Sequence, residues 1–130
     1  MDYLNIIYLL FLHFLGDFFL QSRRIALNKS LFKIDLLIHI LIISSVLALG
    51  LFYFYSRLTL SYFIGINALI HAIIDWFIWR LYKYSINCRY PIRVPETFKY
   101  YNDRWFYNTI AVDQFLHIST LIVLYGVLLT

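Results

Sequence analysis

The chain has 130 residues, of which 62% are hydrophobic and 14% are charged, and its formal net charge is +4. Soluble domains usually carry about 25% charged residues, so this composition excludes an ordinary water-soluble domain and predicts an integral membrane protein. The single cysteine, Cys88, excludes a disulfide framework and a cysteine-rich zinc module. No nucleic-acid partner is expected, because the basic residues lie in short loops beside apolar segments, as membrane topology requires.

Four apolar segments follow one another along the chain, each close to or above the length that crosses a bilayer core of about 30 Å. They are roughly Tyr3–Leu20, Leu31–Tyr55, Leu58–Tyr82 and Trp105–Leu129. The first segment lacks the basic leading region and the cleavage site of a signal peptide, so we interpret it as a retained span. The sequence therefore predicts an all-α, polytopic protein with the lipid bilayer as a partner. Residues 1–130 would form a single domain, an antiparallel bundle of four transmembrane helices.

Basic residues are concentrated after the first and third spans. The segment at 22–30 contains Arg23, Arg24 and Lys29, and the segment at 83–104 contains five more lysines and arginines. The link between the second and third spans contains only Arg57. Because positively charged loops stay in the cytoplasm, we expect both long loops inside the cell and both termini outside.

Every histidine has an aspartate four residues away, and each predicted span carries one such pair. The pairs are His13/Asp17, Asp35/His39, His71/Asp75 and Asp113/His117. A spacing of four places both members of a pair on one helix face. The order within the pairs alternates with the direction of the spans. In an antiparallel bundle all four aspartates would then lie nearer the cytoplasm, with the histidines one turn deeper, by about 5–6 Å.

This pattern predicts a metal site at the centre of the bundle. Buried carboxylates need a compensating charge, and carboxylate with imidazole suits zinc best, or manganese or iron. We expect one or two ions, with Asp17 or Asp75 as the catalytic base. The candidate ligands are His13, Asp17, His39, His71, Asp75, Asp113 and His117. Residues that could orient these ligands or contact substrate are Gln21, Lys29, Asp35, Asn67 and Gln114.

The same motifs resemble the DUF3307 family, small membrane proteins of bacteria and phages named as a domain of unknown function. The resemblance rests on "HFLGDFFLQSRRIALNKS", the lone histidine of the second span, "NALIHAIID" and "VDQFLH", and it covers nearly the whole chain. It implies a bacterial inner-membrane protein. The positions that match the family pattern are His13, Asp17, Gln21, Lys29, His39, His71, Asp75, Asp113, Gln114 and His117. More loosely, the His/Asp inventory is similar to that of membrane-bound metal-dependent hydrolases, an analogy at the level of fold.

These features favour a membrane-embedded, metal-dependent hydrolase that acts on a phosphoester or lipid-linked small molecule from the cytoplasmic side. A basic rim suits a phosphate, although the same charges suffice to set the topology. The rim consists of Arg23, Arg24, Lys29, Lys33 and Lys83. Alternatives are a transporter or channel for divalent cations or protons, a b-type cytochrome, and a non-catalytic interaction protein whose polar residues join helices by hydrogen bonds. The chain could also form homo-oligomers.

Overall fold

The structure is a computed structural model that describes residues 3–28 and 33–130. Those residues form five α-helices: α1 (Tyr3–Phe14), α2 (Arg23–Asn28), α3 (Lys33–Leu51), α4 (Arg57–Arg89) and α5 (Arg104–Leu128). A π-helical turn, Leu15–Phe19, extends α1, and a short 3₁₀ helix, Tyr100–Asn102, precedes α5. No strand occurs in the part of the chain that the structure describes, so the predicted all-α class is confirmed.

Among the residues described, three helices are long and apolar enough to cross a membrane, namely those containing Ile34–Leu51, Arg57–Arg89 and Arg104–Leu128. The segment Tyr3–Phe19 is a shorter apolar helix. By length and composition, these helices indicate a membrane protein.

Several predicted boundaries are wrong. The helix of the third predicted span does not end at Tyr82, because α4 continues for about two more turns to Arg89. The segment 83–89 contains no glycine or proline, and the first residue that disfavours helix is Pro91, before which Tyr90 has already left the helical region, with φ −129° and ψ 70°. The loop is therefore 90–103 rather than 83–104. The predicted loop at 22–30 contains α2, and α3 ends at Leu51 rather than continuing to Tyr55.

The helices pack in a simple order: α3 contacts α1, α2 and α4, and α4 contacts α5. An apolar core lies near the α3–α4 link and includes Leu12, Leu47, Phe63 and Leu121. At that end the Tyr55 hydroxyl donates a hydrogen bond of 3.2 Å to the hydroxyl of Tyr125. Going along α4 from this core toward Arg89, the next buried side chains are polar. The fold thus has an apolar layer, then a polar layer, then loop 90–103.

Beside the apolar core, this chain buries more polar side chains, and exposes more large apolar ones, than a soluble domain does. Among the residues described, the buried polar or charged side chains are His13, Asp17, Asp35, His39, Asn67, His71, Asp75, Asp113 and His117. In contrast, large apolar side chains such as Leu49 and Phe115 are exposed. An apolar exterior of this extent is suited to lipid rather than water.

A cluster that we call the Asp103 clamp joins the ends of α4 and α5; it consists of Tyr82, Arg89 and Asp103. Arg89 donates two hydrogen bonds of 2.9 and 2.7 Å to the two oxygens of Asp103, and the Tyr82 hydroxyl donates one of 3.0 Å. Asp103 also caps α5 by accepting from the backbone N–H of Trp105. The Arg89 guanidinium lowers the pKa of Asp103 from 3.8 to about 2.

Candidate metal centre

The π-helical turn positions the first carboxylate of the polar layer. Its backbone bond runs from the N–H of Leu20 to the carbonyl of Leu15, at 2.9 Å. Such turns often occur at functional sites, and this one carries Asp17. Gly16 permits the turn to approach α3 closely, because a Cβ at this position would lie 3.1 Å from the Cα of Ile43. The glycine therefore allows Asp17 to reach His39 on α3.

Three donor atoms from three elements form a compact triangle. His39 Nε2 lies 3.1 Å from Asp17 Oδ1 and 3.3 Å from His71 Nε2, and His71 Nε2 lies 3.8 Å from Asp17 Oδ1. Ligands of a tetrahedral zinc ion, with bonds of about 2.0–2.2 Å, are about 3.3–3.6 Å apart. Asp17, His39 and His71 are thus spaced as ligands of one metal ion would be.

A second group of three donors shares His71 with the first. Asp75 Oδ2 lies 3.4 Å from His71 Nε2, and Asp75 Oδ1 lies 3.5 Å from His117 Nε2. The imidazole rings of His71 and His117 are stacked, with centroids 3.7 Å apart. In each of the two groups the ligand atoms lie within 4.8 Å of one another, and all three residues are buried. Together the two groups form a cluster of five residues that could hold a metal ion: Asp17, His39, His71, Asp75 and His117.

His13 and Asp113 lie at the edge of this cluster. His13 Nε2 is 3.8 Å from Asp17 Oδ2, and Asp113 Oδ1 is 3.5 Å from His117 Nε2. Neither residue belongs to a group of three potential ligands in the described part of the chain. His13 is nevertheless buried with the other histidines, and its ring lies 5.6 Å from that of His71 between centroids.

Two glutamines orient the cluster. Gln114 donates hydrogen bonds of 2.6 Å to Asp17 Oδ2 and 3.3 Å to Asp113 Oδ2. The other oxygen of Asp17 then faces the histidines. The amide of Gln21 lies 3.1 Å from His39 Nδ1, which leaves Nε2 directed into the cluster. Partners on the outer nitrogen of a metal-binding histidine fix its ring in this way.

The remaining predicted residues have different positions. Asp35 is buried but lies 3.3 Å from Arg24, so its contact joins α3 to α2. Asn67 is buried one turn before His71, and its amide nitrogen has no hydrogen-bond partner among the residues described. Lys29 lies outside the described residues, as do the side chains of Arg23 and Lys33.

A cavity of about 410 Å³ adjoins the cluster on the side of loop 90–103. The polar residues Asp17, Asp113 and Gln114 line it at one end, and Lys83 also contributes to its wall. The rest of the lining is mostly aromatic or aliphatic. Sequence reasoning missed this cavity, because its walls come from the π turn, α2, α4, α5 and the loop. No spacing along the chain indicates that these segments meet.

Comparison with known proteins identifies one family. A family model described as "Protein of unknown function (DUF3307)" matches residues 6–130, a range that includes all four His/Asp pairs. A search of curated proteins and a search of solved structures each gave no match. The comparisons therefore support the first resemblance and give no support to the looser likeness to metal-dependent hydrolases.

Proposed function

The chain belongs to the DUF3307 family, and from its own side chains we propose that it is a membrane-embedded, metal-dependent hydrolase. The observation that carries this proposal is the buried cluster of Asp17, His39, His71, Asp75 and His117. Neighbouring ligand atoms in this cluster are 3.1–3.8 Å apart. Each of the three histidines in the cluster lies within 3.8 Å of two carboxylates.

Neutral imidazoles combined with carboxylates suit zinc first, and manganese or iron as alternatives. The two groups that share His71 could hold one ion or two. When bound, such an ion lowers the pKa of a coordinated water and polarises the scissile bond of the substrate. The arrangement disfavours a b-type cytochrome. A haem would have to fit between two histidines, and the carboxylates of Asp17 and Asp75 lie beside the 3.3 Å gap between His39 and His71.

The two candidate bases have different surroundings. Asp17 lines the cavity, whereas Asp75 does not and is fully buried between histidines. A general base must reach the proton that it removes. Access to the cavity therefore favours Asp17 as the base, held by Gln114, and the central position of Asp75 favours a role as ligand. The substrate we propose is a phosphoester or a lipid-linked molecule.

We further propose that Tyr3–Phe19 is a fourth span. Its 17 residues would extend about 26 Å, close to the thickness of a bilayer core. The result is an antiparallel four-span bundle in the bacterial inner membrane, with both termini outside. The orientation rests on the concentration of lysine and arginine around 22–30 and 83–104. In this orientation the cavity opens toward the cytoplasm.

Metal analysis of protein purified without chelator tests the proposal. We expect one or two equivalents of zinc, manganese or iron per chain, and hydrolysis of p-nitrophenyl phosphate that a chelator abolishes and added metal restores. His71→Ala should lose metal and activity together. Asp35→Asn is the matched control, because Asp35 is a buried carboxylate that pairs with Arg24 outside the cluster. A wild-type protein that binds none of these metals, even after reconstitution, would contradict the proposal. Metal flux into liposomes without hydrolysis would replace it by the transporter alternative.

A further inference from the structure

The cavity beside the metal centre combines two kinds of lining. At the end nearest the centre it is bounded by two carboxylates and an amide, from Asp17, Asp113 and Gln114. Beyond them the walls are mostly apolar, with Phe18 on the π turn, Trp79 on α4, and Phe106 and Ile110 on α5. Its volume of about 410 Å³ lies within the range of small-molecule sites, about 300–1,000 Å³. A ligand that fills it needs a polar group at one end and an apolar body.

Lys83 adds a positive charge to this mostly apolar wall. The residue is half-buried, and it lies on the cavity because α4 continues past Tyr82. A cation among aromatic side chains favours an anionic ligand over a neutral one. Because Lys83 and the carboxylate end line the same cavity, a single ligand can contact both.

We propose that this cavity binds an amphiphilic organic phosphate, which rests on the proposed hydrolase function and names its substrate class. The phosphoester end lies against the metal centre near Asp17, within reach of Lys83. The apolar body lies between the Trp79 face of α4 and the Ile110 face of α5. The cavity also meets Ala26 of α2 and Phe98 of the loop, so these segments border the end away from the metal centre.

Binding of a probe that cannot be hydrolysed tests the proposal. The probe is 1-naphthylphosphonate, which has no ester bond, and its neutral counterpart is 1-naphthol. Titration calorimetry would use metal-loaded protein in phosphatidylcholine nanodiscs. We expect saturable binding of the phosphonate, about tenfold or more tighter than binding of the naphthol.

Three substitutions locate the binding site: two that obstruct the cavity and one that removes a charge from its wall. Ile110→Trp on α5 and Ala26→Leu on α2 fill the cavity from different sides, and each should abolish phosphonate binding. Lys83→Gln should weaken it about tenfold. The matched controls are Phe115→Trp, on the exposed face of α5, and Lys99→Gln, in the loop outside the cavity lining. Both controls should bind the probe as the wild type does.

Failure of this proposal can be told apart from failure of the proposed function, because metal content is measured on the same samples. A wild-type protein that binds no metal overturns the hydrolase. A metal-loaded wild type without saturable phosphonate binding, or with binding that both obstructions leave unchanged, overturns the cavity assignment alone. Addition of lysophosphatidate to the nanodiscs identifies the source of the ligand. Displacement of the probe assigns the substrate to the bilayer, and absence of displacement assigns it to soluble organic phosphates.

Discussion

Asp75 contacts three of the four histidines, one on each of α3, α4 and α5. Its Oδ2 lies 3.1 Å from His39 Nε2 and 3.4 Å from His71 Nε2, and its Oδ1 lies 3.5 Å from His117 Nε2. The side chain is completely buried, and a buried negative charge is tolerated only beside groups that compensate it. A metal ion within the cluster is such a group, and Asp75 is placed to bind it.

The substitution Asp75→Asn tests this role, since it keeps the shape of the side chain and removes the charge. We expect the metal affinity to fall by at least about tenfold, measured by competition with a chelator of known affinity. Asp35→Asn should leave it unchanged. If Asp75→Asn binds metal as the wild type does, the polar faces of the helices serve to join them by hydrogen bonds, and the ligand assignment is wrong.

The absence of a side chain at Gly16 allows the turn that carries Asp17 to pack closely against α3. A methyl group there would lie 3.1 Å from both the Cα and the Cγ1 of Ile43. The backbone of α3 would have to move, so we expect Gly16→Ala to lower the free energy of unfolding by about 1–3 kcal/mol. Unfolding in mixed micelles with increasing dodecyl sulfate measures the change.

Gly65→Ala is the control for Gly16→Ala, because nothing lies within 4 Å of a Cβ built at Gly65. Alanine also favours helix over glycine by about 1 kcal/mol. This variant should therefore be as stable as the wild type or more stable. Equal stability of the Gly16 and Gly65 variants would mean that the contact between the π turn and α3 is not tight.

At the scale of elements, the Asp103 clamp determines how α4 and α5 meet. Asp103→Ala removes the helix cap of α5 and both hydrogen bonds from Arg89. We expect a loss of about 1–2 kcal/mol in the free energy of unfolding. Glu96→Ala is the control, since the Arg93–Glu96 pair is largely exposed and such pairs contribute little. A loss no larger than that of the control would show that the clamp does not stabilise the fold.

The Asp103 clamp should also respond to acid. The pKa of Asp103 is lowered to about 2 by Arg89, so folding favours its ionised form. Its contribution is complete above the ordinary value of 3.8 and is lost as the pH falls through about 2. The difference in stability between the wild type and Asp103→Ala should therefore shrink between pH 4 and pH 2. A difference that stays constant over this interval would contradict the role of the carboxylate charge.

Much of the candidate site follows from the sequence, because a spacing of four residues is a local property of a helix. The positions of His71 and Asp75 on one face of α4 are an example. The π turn at Asp17 could not be predicted, since it differs from an α-helix only in its backbone hydrogen bond, from Leu20 N–H to Leu15 O, and no residue pattern indicates that bond. The true end of α4 was missed because hydropathy falls after Tyr82 while the helix continues. The residue that Tyr82 bonds, Asp103, is also distant from it in the sequence. The distances between ligand atoms and the shape of the cavity depend on how the helices pack together, which no local sequence pattern indicates.

At the scale of the whole molecule, the apolar exterior and the buried polar layer agree with a bundle whose surroundings are lipid. The orientation of that bundle can be tested with the natural cysteine, because Cys88 is exposed near the end of α4. We expect a membrane-impermeant maleimide to label Cys88 in inside-out vesicles and to leave it unlabelled in right-side-out vesicles. Labelling in right-side-out vesicles would reverse the proposed topology.

A second variant makes the orientation test complete. Cys88→Ser combined with Tyr53→Cys moves the only thiol to the α3–α4 link, where Tyr53 is 91% exposed. This variant should show the opposite result, with labelling in right-side-out vesicles. Equal labelling of both variants in one kind of vesicle would contradict an antiparallel crossing by α4.

The burial of imidazoles and carboxylates among apolar helices has a consequence for biogenesis. An aspartate near the middle of an isolated helix costs about 2.5–3.5 kcal/mol on insertion into a bilayer, and α4 and α5 each carry such a residue, Asp75 and Asp113. Helices α3 and α4 are joined by a short link, and His39 on one lies 3.1 Å from Asp75 on the other. Entry of these two helices together as a hairpin brings that pair into contact before α5 has been synthesised. The helices would then assemble in the order in which they are synthesised, and α5 would complete the candidate metal centre by adding His117.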